Sequence, residues 1–172
     1  MTKQPTDADP FADIWEGNEH FVHDFSYAGL TGSAAKGLAI VTCMDSRIAP
    51  LGVVGMNPGD VKILRNAGAR VTDDVLRTLV LATYLLNVDR VLVMPHTECR
   101  MAGATEDQIH EHIDAEYGVD TRSLEFRTVL DQREALRRDL DRIRSYPYLS
   151  KGLNVCGAIY DVRTGLLTPF EN

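Results

Sequence analysis

Three short runs of apolar, largely β-branched residues constrain this chain more than anything else in it. They are Leu-Ala-Ile-Val-Thr-Cys at 38–43, Val-Lys-Ile-Leu at 61–64 and Val-Leu-Val-Met at 91–94. Each is too short for an ordinary helix and too continuously apolar for a strand with one wet face, so each reads as a strand buried on both sides. Between the second and third runs, Thr72 followed by Asp73 and Asp74 opens a helix expected to reach Leu86. A hydroxyl there accepts from the first free N–H groups, and the acids suit the positive end of the helix dipole. Further on, Thr105 and Gln108 form a capping-box pattern, with Gly118 as a left-handed stop. Residues 123–144 place Phe126, Val129, Leu130, Leu136, Leu140 and Ile143 at helical spacing, and Pro147 forbids continuation. A last strand is expected over residues 153–162, with a turn at 161–165 and a short edge at Leu166 and Leu167. Strands alternating with helices predict an α/β fold: a single domain with a mostly parallel central sheet of four to five strands, flanked by helices.

Before that pattern begins, residues 1–10 are polar and contain two prolines, which predicts a flexible tail. Residues 11–172 then form the domain, and residues 11–27 form an N-terminal helical arm. Phe11, Ile14, Trp15, Phe21, Val22 and Phe25 give that arm an aromatic stripe that needs a surface to cover.

Composition narrows the function. The 172 residues carry 18 Lys and Arg against 25 Asp and Glu, a net charge of -7. An acidic chain whose densest basic stretch, residues 133–144, is interleaved with acids has no face for a nucleic-acid backbone or an anionic membrane surface. No apolar run is long enough for a bilayer, and no secretory signal is expected from the first thirty residues. Three cysteines cannot all pair within the chain, so a reducing cytoplasm is expected and each thiol needs its own explanation.

In a parallel sheet, ligands bind beyond the carboxyl ends of the strands. The first strand runs into Cys43, Asp45 and Arg47, and the third into His96 and Cys99. If these strands are neighbours, two thiolates and an imidazole converge, a donor set whose charge neutralises Zn²⁺ and leaves a fourth position open for chemistry. The competing readings are a thiol nucleophile paired with His96 and plain packing of buried cysteines. Asp45 and Arg47 can pair bidentately, and the carboxylate could either accept a hydrogen bond from water at the metal or become the fourth ligand in a closed state. Cys156, in mid-strand, is expected in the core.

Taken together, Cys43-Met44-Asp45-Ser46-Arg47, Arg65-Asn66-Ala67-Gly68 and His96-Thr97-Glu98-Cys99 resemble the β-class carbonic anhydrases, in order and spacing, over roughly residues 39–101. The resemblance implies one Zn²⁺ per subunit on Cys43, His96 and Cys99, with Asp45 and Arg47 as a catalytic dyad. It implies attack of zinc-bound hydroxide on CO₂ to give bicarbonate and a proton. A compact chain of this class is expected to be a homodimer or dimer of dimers, its N-terminal arm laid over the partner. Ala67 and Gly68, at a tight turn beside the metal, are substrate-pocket candidates. One residue departs from the family pattern: Arg100 stands after the second cysteine ligand, where the family usually has Gly. Arg100 is therefore a third pocket candidate, able to face solvent, pair with Glu98 or Asp45, or narrow the channel. Carbonyl sulfide or carbon disulfide hydrolysis on the same site is the alternative activity. A noncatalytic zinc-binding or redox-sensing protein, closed by Asp45, is a third reading.

Overall fold

A computed structural model of the chain describes residues 9–171. The tail expected over residues 1–10 falls almost wholly outside the described residues. The chain divides into two compact units, one ending at Thr31 and one beginning at Gly32. In the first, helix α1 spans Ala12–His23, and none of its residues is buried. Aromatic side chains of α1 and of the segment after it meet one another, Phe21 against Phe25 at 5.6 Å and Phe25 edge-on to Tyr27 at 5.6 Å.

The second unit carries β1 (Leu38–Cys43), α2 (Pro50–Val53), β2 (Val61–Asn66), α3 (Asp73–Leu85), β3 (Arg90–Met94), α4 (Glu106–Tyr117), α5 (Gln132–Arg144), β4 (Asn154–Tyr160) and β5 (Leu167–Pro169). Among the described residues the strands form one five-stranded sheet in the order β2-β1-β3-β4-β5, parallel except for β5. This is the α/β architecture that the alternating pattern predicts. All six residues of β1 are buried because both of its faces are covered. Ala39, Val41, Val91 and Val93 pack with Leu76 and Leu79 of α3 and Leu136, Leu140 and Ile143 of α5. Leu38, Ile40, Leu92 and Met94 pack on the other side with Val53, Val54 and Met56.

Local signals account for most element ends. Thr72 Oγ1 accepts from Val75 N, and the Thr105 and Gln108 box is formed on both sides. Gly118 ends α4 in the left-handed region at φ 66°.

Three expectations are corrected. The run at residues 61–64, read as a strand buried on both sides, belongs to β2 at the edge of the sheet, where no residue is fully buried, in keeping with Lys62 in its middle. The helix predicted over residues 123–144 begins only at Gln132, because Asp131 caps it by accepting from Arg133 N and Glu134 N. Upstream, the Glu106 carboxylate accepts the backbone N–H groups of Phe126 and Thr128, and Arg127 sits at φ 59°. Residues 123–131 are thus an irregular strap whose apolar residues mimic a helical stripe; Leu130 is 82% exposed. Cys156, expected in the core, is exposed. It stands on β4 level with Leu92, over an open groove lined by Leu38, Val54 and Met56.

Candidate metal centre

Parallel pairing of β1 with β3 sets Thr42 beside Met94, so the two strands end side by side and deliver Cys43, His96 and Cys99 to one point. All three are buried, and their donor atoms lie within 4.8 Å of one another. The Cys43 and Cys99 sulfurs are 4.0 Å apart and unbonded. Two thiolates on one tetrahedral Zn²⁺, at Zn–S of about 2.3 Å, would stand about 3.8 Å apart.

The protonation of His96 follows from its partners. Nδ1 is 2.8 Å from the Thr97 carbonyl oxygen, which only accepts, so Nδ1 carries the hydrogen and Nε2 carries the lone pair. Nε2 is buried and has no hydrogen-bond partner in the protein. Orphaning a buried nitrogen costs about 1–3 kcal/mol unless something else occupies its lone pair. Burial also pushes the His96 pKa down, which keeps the ring neutral and able to ligate. Burial pushes the Cys99 thiol up, with the Cys43 sulfur beside it working in the same direction. Two thiols so close in a dry pocket become thiolates readily only if a cation joins them.

The segment leaving β1 is held by its neighbours. Arg65 on β2 donates to the Cys43 carbonyl at 2.9 Å and the Asp45 carbonyl at 2.6 Å. Asn66 closes the turn after β2 by donating to Arg70 O and accepting from Arg70 N. Inside that turn Gly68, at φ 78°, brings its N–H to 3.4 Å from Cys43 Sγ. A side chain there would be strained, and its Cβ would come within 3.2 Å of Met101 Cβ.

Asp45 and Arg47 form the bidentate pair expected of them. Arg47 Nε donates to Asp45 Oδ1 at 2.9 Å and Nη2 to Oδ2 at 2.7 Å, with the Arg47 backbone N–H on Oδ1 as well. These bonds hold the Asp45 carboxyl well below the usual carboxylate range. Asp45 Oδ2 is 3.8 Å from His96 Nε2, so a small swing would bring it to the position where the three donors converge.

A family model described as carbonic anhydrase matches residues 38–167, three-quarters of the chain. The chain belongs to the β-carbonic anhydrase family. Beta-carbonic anhydrase 1 of Mycobacterium tuberculosis is 37% identical over 134 residues, 77% of this chain and 81% of that protein. The crystal structure of the carbonic anhydrase from Streptococcus mutans superposes with a TM-score of 0.90 at 33% identity, covering 96% of this chain and all of the other. The carbon disulfide hydrolase of Acidithiobacillus thiooxidans is 29% identical over 153 residues, 77% of this chain and 76% of that protein.

Arg100, the expected departure from the family pattern, has an exposed side chain with no ion pair among the described residues. Asp45 and Glu98 are not available to it. Asp45 is taken by Arg47, and Glu98 faces Arg47 on one side and Arg163 on the other. Ala67 is half-buried at the turn, and Gly68 is buried.

Three residues of this rim escaped sequence reasoning. Gln132 donates to the His96 carbonyl at 2.7 Å from the first turn of α5. Arg70 pairs with buried Asp139 at 2.7 Å, tying the turn after β2 to the same helix. Arg163 reaches Glu98 from the turn between β4 and β5. Each partner lies at least 36 residues away in sequence, so no local spacing could announce the pairing.

Proposed function

We propose that this chain is a zinc enzyme that reversibly hydrates CO₂ to bicarbonate and a proton. The observation that carries the reading is the orphaned, buried lone pair of His96 Nε2 facing two buried thiols, a donor set that fits Zn²⁺ and leaves one tetrahedral position free. Cys43, His96 and Cys99 would hold the ion, one per subunit, and its Lewis acidity would supply a strong nucleophile from water near neutral pH. Arg47 keeps Asp45 ionised, so Oδ2 is a fixed hydrogen-bond acceptor that orients water for attack rather than a proton store at neutral pH. The Thr97 carbonyl fixes the His96 tautomer, and the Gly68 N–H offsets charge on the Cys43 sulfur. CO₂ is small and apolar, and the turn at half-buried Ala67 and buried Gly68 would offer it a wall beside Cys43 without any specific polar contact.

The exposed aromatic stripe of α1, with Trp15 58% and Phe21 52% exposed, supports a homodimer or dimer of dimers in which the arm covers a second copy. Three cysteines that cannot all pair within the chain favour a reducing compartment such as the cytoplasm. No helix among the described residues is long and apolar enough to cross a membrane.

Stopped-flow CO₂ hydration by zinc-loaded protein tests the reading, with activity expected to rise from mildly acidic to alkaline pH. A fully loaded protein inert across that range would overturn it. The relatives that hydrolyse carbon disulfide favour one second reading, the same site acting on CS₂. Sulfide release from CS₂ with no CO₂ hydration would select it.

A further inference from the structure

Arg47 is held from two edges. Its Nε and Nη2 face Asp45, while Nη1 lies 3.6 Å from Glu98 Oε2 and Nη2 reaches the Glu98 carbonyl at 3.4 Å. The other carboxylate oxygen of Glu98, Oε1, accepts from Arg163 Nε. Glu98 itself sits at φ 56°, a left-handed backbone that costs a non-glycine residue energy. The turn bearing Arg163 is fixed in place. Asp161 Oδ1 accepts from Arg163 N and Thr164 N, Val162 N donates to Thr97 Oγ1, and Thr97 N donates to Tyr160 O. A chain of alternating charge thus runs from Asp45 through Arg47 and Glu98 to Arg163.

We propose that Glu98, divided between Arg47 and Arg163, is a positioning residue that keeps Arg47 on Asp45 and so holds the Asp45 carboxylate off the metal position. The division matters. With one oxygen committed to Arg163, Glu98 anchors the far edge of the guanidinium without capturing it bidentately from Asp45. Without the Glu98 charge, Arg47 keeps on that side only its long contact to the Glu98 carbonyl, and Asp45 is freer to close the short distance to the fourth position. Without Arg163, both Glu98 oxygens turn to Arg47 and draw it away from Asp45, with the same result. Sequence separation hides the arrangement, since Arg163 lies 65 residues beyond Glu98.

The inference rests on the metal centre proposed above, and its test separates the two. Full-length protein is loaded with Co²⁺ and titrated with azide, and the visible spectrum reports access of the anion to the fourth position. In Glu98→Gln, azide affinity is expected to fall by about tenfold at unchanged cobalt content. Arg163→Met should act in the same direction. In an Asp45→Ala background neither substitution should have any further effect, because no carboxylate is left to compete. A merely structural role for Glu98 would lower cobalt retention or the thermal midpoint in both backgrounds alike. Unchanged azide affinity in Glu98→Gln, or an equal loss in the Asp45→Ala background, overturns the proposal while leaving the metal centre intact. Failure of the wild-type chain to take up Co²⁺ with thiolate charge-transfer bands removes the metal centre, and the proposal with it.

Discussion

The two halves of the same sheet are built differently. At the carboxyl rim, backbone carbonyls around Cys43, Asp45 and His96 are each gripped by a side chain from another element, Arg65 or Gln132, and one buried polar side-chain atom, His96 Nε2, is left unsatisfied. In the amino-terminal half, Cys156 faces an open groove of aliphatic side chains, with the Arg90 guanidinium donating to the Lys36 carbonyl at its edge. Both halves carry cysteine, yet only one surrounds it with fixed polar partners. Burial of a thiol by itself says little; a thiol set beside an unsatisfied nitrogen and clamped backbone has been placed for a ligand.

Substitutions at the three cysteines should break this comparison if it is wrong. Cys43→Ser and Cys99→Ser are expected to abolish stoichiometric zinc and take CO₂ hydration down to the uncatalysed background, measured by elemental analysis and stopped-flow. Cys156→Ser should leave zinc content and activity unchanged and alter stability by no more than about 0.5 kcal/mol. Loss of zinc in the Cys156 variant would show that the groove and the rim are not independent.

The next effect down concerns how the rim is tied to α5. Asp139 is buried against Arg70, whose guanidinium also donates to the Arg127 carbonyl at 3.2 Å. Asp139→Ala strands a largely buried Arg70, and breaking such a pair costs about 3 kcal/mol. Urea unfolding should show that loss with an unchanged m-value. Because the pair holds the strap at Arg127 and the turn after β2 together, zinc affinity should weaken alongside stability. A stable variant with reduced zinc affinity would instead make the pair a specific support of the metal site.

Much of this was legible in the sequence. The strands announced themselves by short runs rich in apolar and β-branched residues, the caps at Thr72 and Thr105 by side-chain chemistry within a few residues, and the meeting of Cys43, His96 and Cys99 by their places just beyond strand ends. What stayed hidden is non-local. Cys156 looked like core because mid-strand cysteines usually are, but whether both faces of β4 are covered depends on where other elements pack. Helix α2 begins at Pro50, a favoured first helical residue, yet runs only four residues and leaves almost no periodicity to read. The strap at residues 123–131 looked helical because Phe126, Val129 and Leu130 share the helical period; the deciding contact, Glu106 accepting two of its N–H groups, comes from α4.

That strap supplies the smallest of the expected effects. Asp131 Oδ1 accepts from Arg133 N at 2.9 Å and Glu134 N at 3.1 Å, fixing where α5 starts and therefore where Gln132 points. Gln132 is the side chain that holds the His96 carbonyl, so the cap acts on His96 of the proposed metal centre at one remove. Asp131→Ala should cost about 1 kcal/mol, the usual price of an N-cap. Asp131→Asn, which keeps an accepting oxygen, should cost much less. If the rim is as tightly coupled as its clamps imply, the Ala variant should also show faster zinc loss to a chelator, and the Asn variant should restore the wild-type rate. Equal zinc loss in all three proteins, with the stability difference still present, would mean that His96 is held by β3 and by its parallel bridge to Tyr160 alone, and that the Gln132 contact is incidental to the metal site.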